Sequence, residues 1–228
     1  MRSPTRSASW ARGTPAGTSS TSTSGPIPRG SSGYGSAHGR AIRHGWGGLD
    51  ADDVVAFLDT VLADPALDGD RVGILGGSYG GYLTALLTGR TDRFAAAIAE
   101  RAFVDPVSFV GSSDIGWYFP DEYVGTDPAR IAAQSALAGA SAITTPTLVI
   151  HSEDDWRCPV EQGMRLYVEF KRRGVPSELL LFPGEGHELS RSGRPKHRAA
   201  RFEHILRWWA RWLPTPQNPG SGEAAPAD

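Results

Sequence analysis

Ser78 lies in Gly76-Gly77-Ser78-Tyr79-Gly80, which fits G-x-S-x-G. A serine hydroxyl is a poor nucleophile at neutral pH and needs a base to take its proton; imidazole is the usual one. The base in turn needs a carboxylate to hold its tautomer and to stabilise the imidazolium. Downstream of Ser78 the chain offers Glu153, Asp154 and Asp155 together, and then His187 between Gly186 and Glu188. The chemistry these residue types support is acyl transfer through a covalent serine intermediate. Spacing alone leaves the acid open among the three carboxylates.

Other readings of the same residues are blander. The serine motif could be a glycine-rich turn, and the acids a solvated turn. The glycine-rich loops lack the Lys of a phosphate-binding loop. His151 beside the acids lacks metal-ligand spacing. No cofactor and no metal are therefore expected. His197 and His204 fall on a predicted helix and read as surface or packing residues.

The elements around these residues give them a scaffold. Arg71-Val72-Gly73-Ile74-Leu75 is a short apolar run with β-branched residues, the pattern of a buried strand. Leu83, Ala85, Leu86 and Leu87 continue as a helix to Gly89. Strand, tight turn and helix form the context of a nucleophile elbow, with helical N–H groups aimed beside Ser78. A helix is predicted over 50–63, with Val54, Val55, Phe57, Leu58, Val61 and Leu62 as its apolar stripe and Asp50, Asp52 and Asp53 at its positive end. Residues 94–99, 147–150 and 178–182 read as further buried strands, and 160–173 and 197–213 as helices. Phe202, Ile205, Leu206, Trp209 and Leu213 are expected on the buried side of the last helix, widened by Trp208 and Trp212.

Residues 101–141 look irregular and aromatic-rich, a candidate lid or substrate pocket with a satellite core as the competing account. The loops at 28–35 and 45–48 are either an active-site rim or plain turns. Alternating strand and helix indicates an α/β protein with a mostly parallel sheet and helices on both faces. Ser78, the acids and His187 each follow a strand end, where functional groups of such sheets collect. Their order, serine then acid then histidine, is that of the α/β-hydrolase fold.

A length of 228 residues suits one domain with tails. Hydrophobic content of 39% and charged content of 21% are globular values. A formal charge of -2 argues against nucleic acid or an anionic membrane as partner. Cys158 is the single cysteine, which excludes an internal disulfide. No apolar run approaches spanning length and no signal-peptide core is present, so the cytoplasm is the expected location. Residues 1–26 are Ser, Thr, Gly, Pro and Arg with almost nothing to bury, and read as disordered, as do 214–228. A shift of one base through the codons of residues 17–24 gives a strand-like peptide such as Tyr-Val-Val-Tyr-Val-Asn-Val, so this stretch is also readable as a core strand in the wrong frame.

Several stretches together resemble the catalytic domain of the prolyl oligopeptidase family of serine peptidases, in its acylaminoacyl-peptidase or dipeptidyl-aminopeptidase branch. They are PRGSSGYG (28–35), WGG (46–48), GGSYGGY (76–82), SDIGWYF (113–119), HSEDDWRCPVEQ (151–162) and FPGEGHELSRSGRP (182–195), within 27–213. The resemblance implies an α/β-hydrolase peptidase domain with Ser78 as nucleophile, Asp155 as the acid and His187 as base. It implies the Tyr79 backbone N–H as an oxyanion donor, with Arg157, Tyr82 and Trp117 as substrate contacts. Small peptides are the implied substrates, and an esterase of the same fold or an inactive binding fragment are the rival readings. This chain departs from the family in two ways. The N-terminal β-propeller of the family is expected to be absent, and residues 1–26 stand where a strand and an H-G-G-P-like oxyanion loop are expected. The domain is thus expected to be N-terminally incomplete, with a bare sheet edge that a homo-oligomer would cover.

Overall fold

A computed structural model describes residues 9–13 and 21–214. Its centre is a six-stranded sheet of order β2-β1-β3-β4-β5-β6. Strands β3 (Val72–Gly77), β4 (Ala96–Glu100), β5 (Thr147–Ser152) and β6 (Ser177–Phe182) run parallel. Strands β1 (Ser9–Gly13) and β2 (Thr21–Ser24) add antiparallel on the β3 side.

Side-chain alternation along the strands explains the two layers of helix. Ala97, Ala99 and Val149 face one core, whereas Ala96, Ile98, Leu148 and Ile150 face the other. On the first face pack α2 (Leu49–Leu62), through Val54 and Leu58; α3 (Tyr79–Thr88), through Leu83, Leu86 and Leu87; and α7 (Val160–Arg172), through Leu166 and Phe170. The opposite face takes α9 (Pro195–Trp212) through Ile205 and Trp208, with Leu189 beside them. Strands with apolar residues on both sides need both faces covered, and this is the α/β-hydrolase arrangement.

The stretch 1–26, expected to lack order, contributes β1 and β2. The register pairs Ser9 to Arg12 with Leu75 to Val72. Ladder bonds join backbone to backbone, so Ser9–Gly13 can satisfy the open edge of β3, and the Ser/Thr strand β2 that of β1, without a run of apolar residues. Residues 14–20, which hold much of the shifted-frame stretch, and 215–228 of the expected tail lie outside the described residues.

Residues 101–141 form short helices over Pro106–Ser112, Phe119–Tyr123 and Pro128–Ala133, then a 3-10 turn over Ala136–Ala142. Two of these helices start at Asp-Pro pairs. The Asp105 carboxylate caps Val107 and Ser108 N–H, and Asp127 caps Arg130 N–H. A capping acid followed by proline at the first turn is a strong local start signal even without an amphipathic stripe.

The last helix is rotated from the expected face. Phe202 and Leu206 are exposed, whereas Arg201, Ile205 and Trp208 point inward. The cause is Glu100, buried at the end of β4, whose carboxylate takes a two-pronged bond from the Arg201 guanidinium. A buried carboxylate must be paired. Turning Arg201 inward carries positions 205 and 208 with it, at helical spacing. Replacing Arg201 by Met is expected to cost about 3–5 kcal/mol, because Glu100 is left buried alone, whereas Phe202→Ala stays within about 0.5 kcal/mol. Urea denaturation of both variants checks this; equal midpoints would show that the pair does not fix α9.

Candidate active site

The site is built on the turn between β3 and α3. Ser78 has φ 62° and ψ -118°, a left-handed conformation that side-chain-bearing residues avoid. Neighbouring glycines allow it. A Cβ on Gly76 would be driven into the Gly80 carbonyl, and one on Gly81 would strike Ala102 and the Glu100 carbonyl. The Ser78 N–H donates to the Glu100 carbonyl at 2.9 Å, which ties the turn to the neighbouring strand end. Tyr79 is the first residue of α3, so its N–H has no acceptor within the helix.

The acid loop follows β5. Asp155 is buried, and its Oδ1 accepts from the Arg157 and Cys158 N–H groups at 3.0 and 2.8 Å. Its Oδ2 is 2.8 Å from His187 Nδ1. On the far side of the same ring, Nε2 is 3.0 Å from Ser78 Oγ. Of the three carboxylates that spacing left open, Asp155 is the one bonded to His187; neither Glu153 nor Asp154 makes this bond. His187 sits on the loop between β6 and a short helix, Leu189–Ser192. The two loops are bonded together, Asp154 N–H to the Glu185 carbonyl at 2.9 Å. The buried Glu185 carboxylate takes bonds from His197 Nδ1 at 2.7 Å and Arg194 N–H at 3.1 Å. His197 is thus a packing residue that braces the His187 loop.

Behind the acid, the buried His151 bonds the Cys158 carbonyl through Nε2 at 2.7 Å. Burial lowers its pKa, so the ring is neutral and donates one N–H. Among the described residues no group of three or more His, Cys, Asp or Glu is arranged to hold a metal.

The expected substrate residues divide. Arg157 is half-exposed and makes a bidentate pair with Asp114, at 2.8 and 3.1 Å. Together with Asp114 N–H to the Trp156 carbonyl and Ser113 hydroxyl to the Arg157 carbonyl, it straps the 101–141 segment to the acid loop. Trp117 is 79% exposed and packs edge-on against Tyr118. Tyr82 is fully buried among Trp46, Tyr79 and Phe103 and does not line a cleft. Four residues past Ser78 on α3, it points into the core beneath the elbow, which corrects the expectation of a substrate contact.

Two residues beyond the expected set matter. Asp50 is fully buried rather than a solvated helix-end acid, and its Oδ2 accepts from the Tyr79 hydroxyl and the Gly47 N–H. Burial raises its pKa while these two donors oppose the rise. Arg101 directly follows β4, and its Nη1 lies 3.3 Å from His187 Nε2. Its place just past a strand end, like that of Ser78 and Asp155, is the signal that would have found it.

With this geometry in view, the sequence pattern described as the prolyl oligopeptidase family matches residues 26–215. The chain belongs to the prolyl oligopeptidase family. It is 40% identical over 191 residues to the uncharacterized peptidase YuxL of Bacillus subtilis, covering 82% of this chain and 29% of that protein. It is 31% identical to the acylamino-acid-releasing enzyme of Arabidopsis thaliana, covering 81% of this chain and 25% of that one. The solved Pyrococcus horikoshii acylaminoacyl peptidase superposes with a TM-score of 0.80 at 30% identity, over 86% of this chain and 33% of the other. The chain therefore spans about a third or less of the length of these members of the prolyl oligopeptidase family. No helix among the described residues is long and apolar enough to cross a membrane.

Within this prolyl oligopeptidase family site, Cys158 Sγ lies 4.0 Å from Ser78 Oγ and is buried. Burial pushes its thiol pKa far up, with the Asp155 charge adding to the rise. Iodoacetamide at pH 8 is expected to leave Cys158 unmodified in the folded protein and to alkylate it fully in urea, as read by mass spectrometry. Rapid alkylation of the native protein would contradict this environment.

Proposed function

We propose that this chain is a serine hydrolase that cleaves short peptides in the acylaminoacyl- or dipeptidyl-peptidase manner. The observation that carries the reading is the unbroken relay of Ser78 Oγ to His187 Nε2 at 3.0 Å and His187 Nδ1 to Asp155 Oδ2 at 2.8 Å. Asp155 holds the Nδ1–H tautomer, which leaves the Nε2 lone pair for the serine proton. Ser78 attacks the peptide carbonyl as His187 takes that proton. The Tyr79 N–H donates to the oxygen that becomes anionic, where a donor is worth most. His187 then gives its proton to the leaving amine, and water, activated by the same ring, releases the acyl group from Ser78. Arg157, at the mouth beside the acid loop, orients the peptide while Asp114 holds its guanidinium. Names of relatives support a peptide substrate: acylamino-acid-releasing enzyme and dipeptidyl-peptidase 5 among them.

The test is fluorophosphonate labelling of the folded chain, followed by turnover of matched amide and ester substrates. Ser78→Ala is expected to abolish labelling, and Asp155→Asn to slow amide hydrolysis about 10⁴-fold by offering the wrong hydrogen-bonding group to Nδ1. No labelling of a folded sample would overturn the reading. Ester turnover without any amide turnover would make the chain an esterase of this fold.

A further inference from the structure

Arg101 is, among the described residues, a buried cation at the site whose charge the relay does not use. It is 5% exposed and adopts φ 39°, a backbone conformation that arginine seldom takes. Among the described residues no carboxylate forms an ion pair with it. The two acids whose charge reaches it are engaged elsewhere: Glu100 with Arg201, and Glu188 with Arg191. Its partners are both neutral, Ser190 Oγ at 3.2 Å from Nη2 and His187 Nε2 at 3.3 Å from Nη1. Its Nε is buried with no acceptor. Burial pulls its pKa down; the Glu100 charge, and more weakly the Glu188 charge, oppose this without forming an ion pair, and the Arg191 charge adds to it. A buried guanidinium without a counter-ion costs several kcal/mol, and left-handed strain adds to that cost.

The bond to His187 is also an unsettled one. Arginine only donates, so the Nε2 facing it must carry a lone pair. Ser78 Oγ approaches the same lone pair at 3.0 Å. Two donors compete for one acceptor, and when His187 takes the serine proton the lone pair is gone. Nη1 is then left facing an imidazolium, at the atom that delivers a proton to the leaving amine. An anion beside Nε2 would satisfy Nη1, supply the missing counter-charge and relieve the repulsion together.

We propose that Arg101 is a carboxylate-binding subsite on the reacting side of His187. The carboxylate best placed to use it is that of a leaving-side amino acid at the C-terminus of the substrate, only two bonds from the nitrogen that His187 protonates. The carboxylate of the released acyl product is the other source of the same chemistry. The subsite makes very short peptides, cleaved next to their last residue, the favoured class. The inference rests on the peptidase reading above for its substrate, but its test does not need turnover.

The experiment measures binding of four compounds to the folded 228-residue chain by calorimetry: phenylalanine, phenylalaninamide, N-acetylphenylalanine and N-acetylphenylalaninamide. An acid is expected to bind about ten- to a hundredfold tighter than its amide. Preference confined to free phenylalanine assigns the subsite to the leaving side; preference confined to N-acetylphenylalanine assigns it to the acyl product. Either preference should fall to about onefold in Arg101→Gln and survive in part in Arg101→Lys. Equal binding of acids and amides to the wild type, no binding of any of the four, or a preference that persists in Arg101→Gln overturns the proposal. The wild-type comparison decides even where a variant fails to fold. Fluorophosphonate labelling of the same samples reports separately on Ser78, so failure of the peptidase reading and failure of the subsite are distinguishable.

Discussion

The close approach of Gly76 to the Gly80 carbonyl is the constraint on which the rest of the site depends. Without side chains at these points, β3 and α3 meet at a turn too tight for any other residue. Ser78 is the residue held in the strain, with φ 62°. The turn is stable because its surroundings over-determine it. The Ser78 N–H is taken by the Glu100 carbonyl, α3 is buried along almost its whole length, and Gly81 lies against Ala102. The strained turn brings the Ser78 hydroxyl to His187 Nε2 and leaves the first N–H of α3 without an acceptor in the helix.

The other two members of the relay reach Ser78 because parallel strands end on one side. β5 delivers Asp155 and β6 delivers His187, and neither residue is positioned by a single bond. Both Asp155 oxygens are used, one by two backbone N–H groups and one by the imidazole. The loop carrying His187 is pinned through Glu185 to Arg194 and His197. These are bonds between groups shielded from water, where partners count for most and unpaired groups are costly. The 101–141 segment belongs to this construction too. Gln162, fully buried on α7, receives the Val104 and Asp105 N–H groups, and Asp114 grips Arg157. The first third of the segment is thus fastened at two points, to the acid loop and to the helix that follows it.

The strands and long helices were legible because burial on two faces leaves short apolar runs and helical stripes, and those signals are local. The serine, the histidine and their order were legible for the same reason, each lying just past a strand. What escaped was decided by partners distant in sequence. Tyr82 looked like a cleft residue from its motif, but helical rotation from Ser78 sends it into the core. Phe202 and Leu206 looked buried by pattern, but a single ion pair from β4 turns the helix. Residues 9–13 and 21–24 carry no run of apolar residues of strand length, and backbone pairing to an open edge needs none. Asp50 reads as a helix-end acid until the Tyr79 hydroxyl, 29 residues on, is brought onto it.

Glu100 and Arg101 are adjacent in sequence, both buried and both charged, yet they are treated oppositely. Glu100 is compensated by Arg201 and holds a helix in place. Arg101 turns toward the relay on a strained backbone and finds only a hydroxyl and an imidazole. A fold that can neutralise one of two neighbouring charges has the means to neutralise the other. A residue placed for stability alone would be selected toward a satisfied environment, because an uncompensated buried cation opposes folding. Departures from local consistency concentrate where a site needs them. Ser78 and Arg101 are two of the three residues other than glycine with positive φ among the described residues, and they face the same imidazole. The strain at Ser78 suits the proposed role of that residue as the nucleophile. Strain and unpaired charge together at Arg101, on the other donor to that ring, point to the same centre of chemistry.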